Sequence, residues 1–230
     1  MDNISTKFYN AFIYKDRWML YIKGLGVTVE IAVFAGILGI IIGCILALMK
    51  LSEPENGRKH TLGWYIATVY VDIIRGTPSV LQLLIMWFIV FSSSKNGVLV
   101  ASLSFGINSG AYASEIIRAG ILAVDKGQME AGRSLGLTRG QTMREIILPQ
   151  AFKNVLPPLG NEFITLIKET AIVGYVSLSD LTRTASQISS RTYEAFMPLI
   201  GAAVIYFILI KLLTLLLARF ERRLRRSDIR

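Results

Sequence analysis

Five stretches of this 230-residue chain, residues 24–49, 67–91, 97–117, 156–176 and 196–218, stay apolar over lengths near the roughly 20 residues a helix needs to cross hydrocarbon. Backbone placed in lipid must satisfy its own hydrogen bonds, so stretches of this kind fold as helices. With 53% of its residues hydrophobic and gathered in blocks, the chain predicts an all-α membrane protein. Residues 1–230 would form a single domain with five transmembrane helices. The first block is too long, and too poorly matched at its flanks, to be a removed signal peptide. Its Gly39, Gly43 and Ala47, at four-residue spacing, predict a face on which a neighbouring helix approaches closely.

The second block is the least regular. Asp72 and Arg75 interrupt it, three apart on one helix face as a local ion pair, and Arg75-Gly76-Thr77-Pro78 reads as a break. Thr77 is expected to cap a fresh helix whose first position is Pro78. Glu30 and Glu115 lie towards opposite ends of their spans and read as side chains reaching an interface.

Loop charge sets the expected orientation. The connections after the first and third spans, together with the tail, carry 15 Lys and Arg, against 7 for the N-terminal segment and the other connections. The positive-inside rule places the richer set in the cytoplasm and the N-terminus outside. The formal charge of +9 is then met by headgroups, with Arg219, Arg222, Arg223, Arg225 and Arg226 directly after the last span. Cys44, the single cysteine, excludes an intrachain disulfide and a cysteine-based metal cluster, and reads as a small packing residue. His60 is also alone, and no metal site or catalytic residue is expected.

The hydrophilic interval at residues 118–155 predicts a cytoplasmic helical elbow. Asp125-Lys126-Gly127-Gln128 and Thr138-Arg139-Gly140-Gln141 have the form of capping boxes, each opening a short helix. The first helix is expected to stop at Gly136, suited to a left-handed terminus, and the second before Pro149. Met129, Ala131, Leu135 and Leu137, beside Glu130 and Arg133, offer an apolar ridge with a few charges.

The spacing Glu130-Ala131-Gly132, three residues, Gly136, nine residues, Ile146, Ile147, Leu148-Pro149 resembles the cytoplasmic loop of ABC importer permeases. Gly132 departs from the usual Ala and lowers local helix propensity slightly. One branch, the permeases for polar amino acids of the histidine, glutamine, arginine and cystine type, is similar over residues 20–222. The similarity is carried by Arg75-Gly76-Thr77-Pro78 with Gln82, Gly110-Ala111-Tyr112, Ser114-Glu115, Arg118-Ala119-Gly120, Gly127-Gln128, Leu148-Pro149-Gln150-Ala151 and Asn161-Glu162-Phe163. Leu166-Ile167-Lys168 also fits, although Glu169 stands where Asp is more usual.

That resemblance implies the type I importer permease fold and an address in the prokaryotic cytoplasmic membrane. It also implies two permease subunits, identical or paired, two separate ABC ATPase subunits and an extracytoplasmic substrate-binding protein. Glu130, Ala131, Gly132, Ser134, Leu135 and Gly136 would dock the ATPase. ATP and Mg²⁺ would bind those partners, with no cofactor on this chain. Independently, the sequence holds no G-x-x-x-x-G-K-[ST] phosphate cradle, so its energy must come from a partner or an ion gradient.

Asn161, Glu162, Thr165, Lys168 and Glu169 fall within one arc of about 120° on a helical wheel. Charges at membrane depth cost at least ~2.5–3.5 kcal/mol each, so they pair or line a cavity. Lys168 and Glu169 relieve each other, whereas Glu162 has no evident partner in the sequence. It is therefore the expected contact for an amino acid's ammonium group, with Asn161 and Thr165 beside it; the competing role is a carboxylate satisfied by a neighbouring helix. Two other classes share some features. A gradient-driven carrier also uses broken helices and buried charge, but five spans show no internal repeat. A DNA-binding helix-turn-helix also has two short helices, but here they are tethered closely to the membrane, and no nucleic-acid partner is expected.

Overall fold

The computed structural model describes residues 3–51 and 60–226, and among these every regular element is helical. A short N-terminal helix, α1 (Ile4–Phe8), passes through a π-helical turn and a tight 3₁₀ turn, with Lys15 and Asp16 at positive φ, into α2 (Arg17–Leu51). The broken segment gives α3 (Leu62–Arg75) and α4 (Ser79–Ile85), followed by a π-helical turn to Val90. Then come α5 (Gly97–Leu122), the elbow helices α6 (Lys126–Ser134) and α7 (Arg139–Thr142), and α8 (Leu148–Glu169). A 3₁₀ segment, α9 (Leu181–Thr192) and α10 (Phe196–Arg226) complete the chain. By length and composition, Ile4–Leu51 and Phe196–Leu224 can each cross a membrane, and the broken pair Leu62–Gly76 and Ser79–Val90 meets that test jointly. Arg58 and Lys59, and the side chains of Arg225, Arg226 and Arg230, which count towards the cytoplasmic charge, lie outside the described residues.

The break at residues 76–78 forms differently from expectation. Pro78 itself occupies the cap position before α4, with extended backbone (φ −63°, ψ 135°) and no side-chain cap. The Thr77 hydroxyl instead donates back to the Ile73 carbonyl at 2.9 Å, serving the end of α3. Nor does Arg75 pair with Asp72: its guanidinium lies 5.2 Å from the centre of the Tyr112 ring, a favourable cation–π placement.

The chain gathers into two compact units. The first draws on Met1–Ile37, Pro78–Gly106 and Ile164–Thr214. Its core joins Ile31, Ala35, Leu83, Phe105, Leu166 and Val173, and a second cluster sets Tyr21 against Leu181, Ala185 and Ile188.

The second unit draws on Leu38–Thr77, Ile107–Phe163 and Leu215–Arg230. Here the small-residue face of α2 meets α5 as expected. A Cβ on Gly43 would lie 2.6 Å from the Ala113 Cβ, one on Gly39 3.0 Å from the Ser109 Cβ, and one on Gly110 2.7 Å from the Ile42 Cγ2. Glycine lets the two backbones approach where lipid offers no hydrophobic drive and association rests on close packing. Cys44, one residue past Gly43, is turned off that face and is exposed, so it is not the packing residue the sequence suggested. Isoleucines 41 and 45 beside it are also about half exposed, at 53% and 54%, which makes this an outward apolar face.

Candidate functional site

The elbow between α5 and α8 is closed by local hydrogen bonds. Asp125 caps α6 by accepting the Gly127 N–H at 2.7 Å, a simple cap rather than the reciprocal box expected there. Thr138 and Gln141 do form the full box at the start of α7, with Gln141 N donating to Thr138 Oγ1 at 3.3 Å and Thr138 N to Gln141 Oε1 at 2.9 Å. Between them Gly136 sits at φ +85°. Its N–H reaches the Arg133 carbonyl at 3.0 Å, and Leu137 N–H reaches the Gly132 carbonyl at 3.1 Å, the paired bonds that end a helix through a left-handed residue. Gly136 ends α6 as expected.

Gly132 turns out to be a packing requirement. It is buried, and a Cβ there would overlap the Thr142 side chain, so the smallest residue lets α6 and α7 cross. Met129 also turns inward, against the cluster of Val124, Ile147 and Ala151 with Ile121 and Met143, and so is not part of an outward ridge. What remains outside is narrow. Glu130, Ala131, Ser134 and Gly136 are exposed, and Leu135 is 80% exposed at the tip. Between α5 and α8, Leu135 is thus the one large apolar side chain left exposed by its own chain.

The second elbow helix does not end before Pro149. Residues Met143–Ile147 form a π-helical turn in which Leu148 N–H reaches the Met143 carbonyl, and α8 follows at once. Pro149 falls where the widened turn returns to ordinary spacing, in the first turn of α8, where its missing N–H disturbs little. The elbow therefore runs into the helix that carries Glu162.

Glu162 does have a partner. Ser109 Oγ donates to its Oε1 at 3.1 Å, from 53 positions away in the chain. Asn161 is exposed and returns its amide to the Pro157 carbonyl at 3.2 Å, within the same helix. Thr165 is exposed and belongs to the first unit. Glu30 is exposed, while Glu115 is drawn into an ion-pair cluster: Lys50 Nζ lies 2.6 Å from its Oε1 and Arg118 Nη2 3.2 Å from its Oε2.

In the first unit, the sequence does not single out Asp180, because a loop aspartate before a helix reads as an ordinary cap. It does cap α9, accepting the Thr182 and Arg183 N–H groups at 2.9 Å each, but it is fully buried and also accepts from Tyr206 Oη at 3.4 Å. Burial pushes its carboxyl above the usual aspartate value, against the lowering effect of those hydrogen bonds.

A family model described as binding-protein-dependent transport system inner membrane component matches residues 39–226. The chain is 43% identical over 212 residues to the arginine transport system permease protein ArtQ of Bacillus subtilis (strain 168), covering 90% of this chain and 93% of that protein. It is 40% identical to the L-cystine transport system permease protein TcyB of the same organism, covering 93% and 90%. Among solved structures it is similar to an amino acid ABC transporter described with histidines, with a TM-score of 0.84 and 42% identity over 97% of this chain and 99% of that one.

Proposed function

Because the chain belongs to the family of binding-protein-dependent transport system inner membrane components, with the fold of type I ABC importer permeases, we propose that it is the permease subunit of an ATP-driven importer for polar amino acids. Relatives named for arginine and L-cystine transport, and the structure of an amino acid transporter, support that substrate class. Residues 1–230 act as one multi-pass domain of the cytoplasmic membrane, with the N-terminus outside and the elbow inside. ATP and Mg²⁺ bind a pair of separate ATPase subunits, and this chain carries no enzymatic step. A second permease, the same or a related chain, completes the path, and an extracytoplasmic binding protein delivers the amino acid.

The observation that carries this reading is Leu135, 80% exposed on an elbow whose two helices are locked by the Gly132–Thr142 contact. An apolar tip left exposed between two short capped helices fits a groove in another protein. Closure of the ATPase pair moves the elbow, and the π-helical turn passes that motion into α8. On α8, Glu162 meets the ammonium or cationic side chain of the substrate, with Asn161 as its neighbour.

Cysteine crosslinking tests the docking: Leu135→Cys in the complete importer should form a bond to the ATPase subunit during uptake. Absence of any ATPase from the purified, transport-active protein would instead favour a gradient-driven carrier. Uptake of labelled arginine, glutamine, histidine and cystine into vesicles holding the complex identifies the substrate.

A further inference from the structure

A cavity of about 280 Å³ opens within the second unit, where the ends of α2 and α5 meet the elbow. Four cations line it, Lys50, Arg118, Lys126 and Arg139, over an apolar floor that includes Ile121 and Met143. Two carboxylates stand against them among the described residues. Glu115 is engaged by Lys50 and Arg118, and Asp125 caps α6 through the Gly127 N–H, so among the described residues neither carboxylate is taken up by Lys126. The Arg118 Nε–H is buried and has no hydrogen-bond partner. An unsatisfied cationic donor of this kind is costly to bury and calls for an acceptor.

We propose that this cavity binds the phosphate headgroup of an anionic membrane lipid. A phosphodiester supplies charge and acceptor oxygens to the guanidinium and ammonium groups. Its acyl chains would follow the apolar floor and Leu122, which is 58% exposed at the end of α5. A free phosphate would use only the cations. Basic pockets at the cytoplasmic ends of membrane helices bind lipid headgroups by these means. The inference rests on the proposed function only for the side of the membrane on which the elbow lies.

Native mass spectrometry of the intact permease–ATPase complex tests it after mixing with phosphatidylglycerol or with phosphatidylcholine. Phosphatidylglycerol should be retained in preference, and Lys126→Gln, at an exposed position that tolerates the change, should weaken that retention about fivefold. Arg118→Gln should weaken it further, and Lys126→Arg should restore it. Equal retention of both lipids, or retention indifferent to Lys126→Gln, overturns the site. Displacement by millimolar inorganic phosphate would make free phosphate the ligand and overturn the lipid assignment. Retention seen only after the ATPase is stripped away would make the cavity a protein interface and also overturn it. Retention is read without uptake, so a chain that moved no amino acid would leave this test intact.

Discussion

Lys50 and Glu115, 65 positions apart, meet at 2.6 Å with side chains only 11% and 25% exposed, and so tie the end of α2 to α5. The same carboxylate accepts from Arg118 at 3.2 Å. Removing the carboxylate leaves two cations side by side, so Glu115→Gln should destabilise the permease by about 1.5–3 kcal/mol, the range for hydrogen bonds to charged groups. Thermal unfolding of the complex in detergent measures it. The exchanged pair Lys50→Glu with Glu115→Lys should not restore full stability, because Arg118 then faces a lysine.

Glu162→Gln keeps an acceptor for Ser109 and removes the charge. The expected result is a change of about tenfold or more in apparent substrate affinity, the scale of one charge-assisted hydrogen bond, with ATPase coupling retained. Vesicle uptake across a panel of amino acids reads the change. Ser109→Ala serves as the comparison, and an unaltered uptake profile in Glu162→Gln would remove this carboxylate from the substrate path.

Gly136→Val forces a β-branched residue into φ +85°, a conformation that costs an L-residue about 1–2 kcal/mol or more. Transport-coupled ATP hydrolysis should be lost while the subunit still inserts and assembles into the membrane fraction. Normal coupling in that variant would contradict the docking role.

Gly43→Leu places a bulky side chain where even a Cβ would come within 2.6 Å of Ala113. Folded permease recovered from membranes should fall sharply, as judged by size-exclusion profile. Cys44→Ala, at the neighbouring exposed position, should leave recovery unchanged.

Asp180 has a folded pKa above its ordinary 3.8, with burial the dominant cause. Between those two values the folded state holds more proton than the unfolded state, so this group's contribution to stability falls as pH rises through that window. Asparagine caps helices as well as aspartate and carries no charge. The melting temperature of Asp180→Asn relative to the unaltered protein should therefore be more favourable at neutral pH than near pH 4, whereas Asp180→Ala loses the cap at both.

Local signals in the sequence translated well into structure. The four-residue spacing of Gly39 and Gly43 set the α2–α5 crossing, and Gly136 ended α6, because each depends on backbone geometry within a few residues. Relations over long separations were not legible. Nothing near Glu162 pointed to Ser109, and nothing near Lys50 pointed to Glu115, since helical periodicity reports a face and not what lies opposite it. Competition between neighbours misled in other places. Pro78, not Thr77, took the cap position before α4, and a π-helical turn let α8 continue through Pro149. Whether a small residue faces inward was equally hidden: Gly132 proved to be a contact point with Thr142, and Cys44 was turned outward.

The outward thiol makes the natural sequence its own spectroscopic reporter. A nitroxide attached to Cys44 gives one spin per copy with no engineered background. If the translocation path is built from two copies of this chain, dipolar spectroscopy would record one defined intermolecular distance. If the other half is a different polypeptide without a labelled thiol, the echo would decay without modulation.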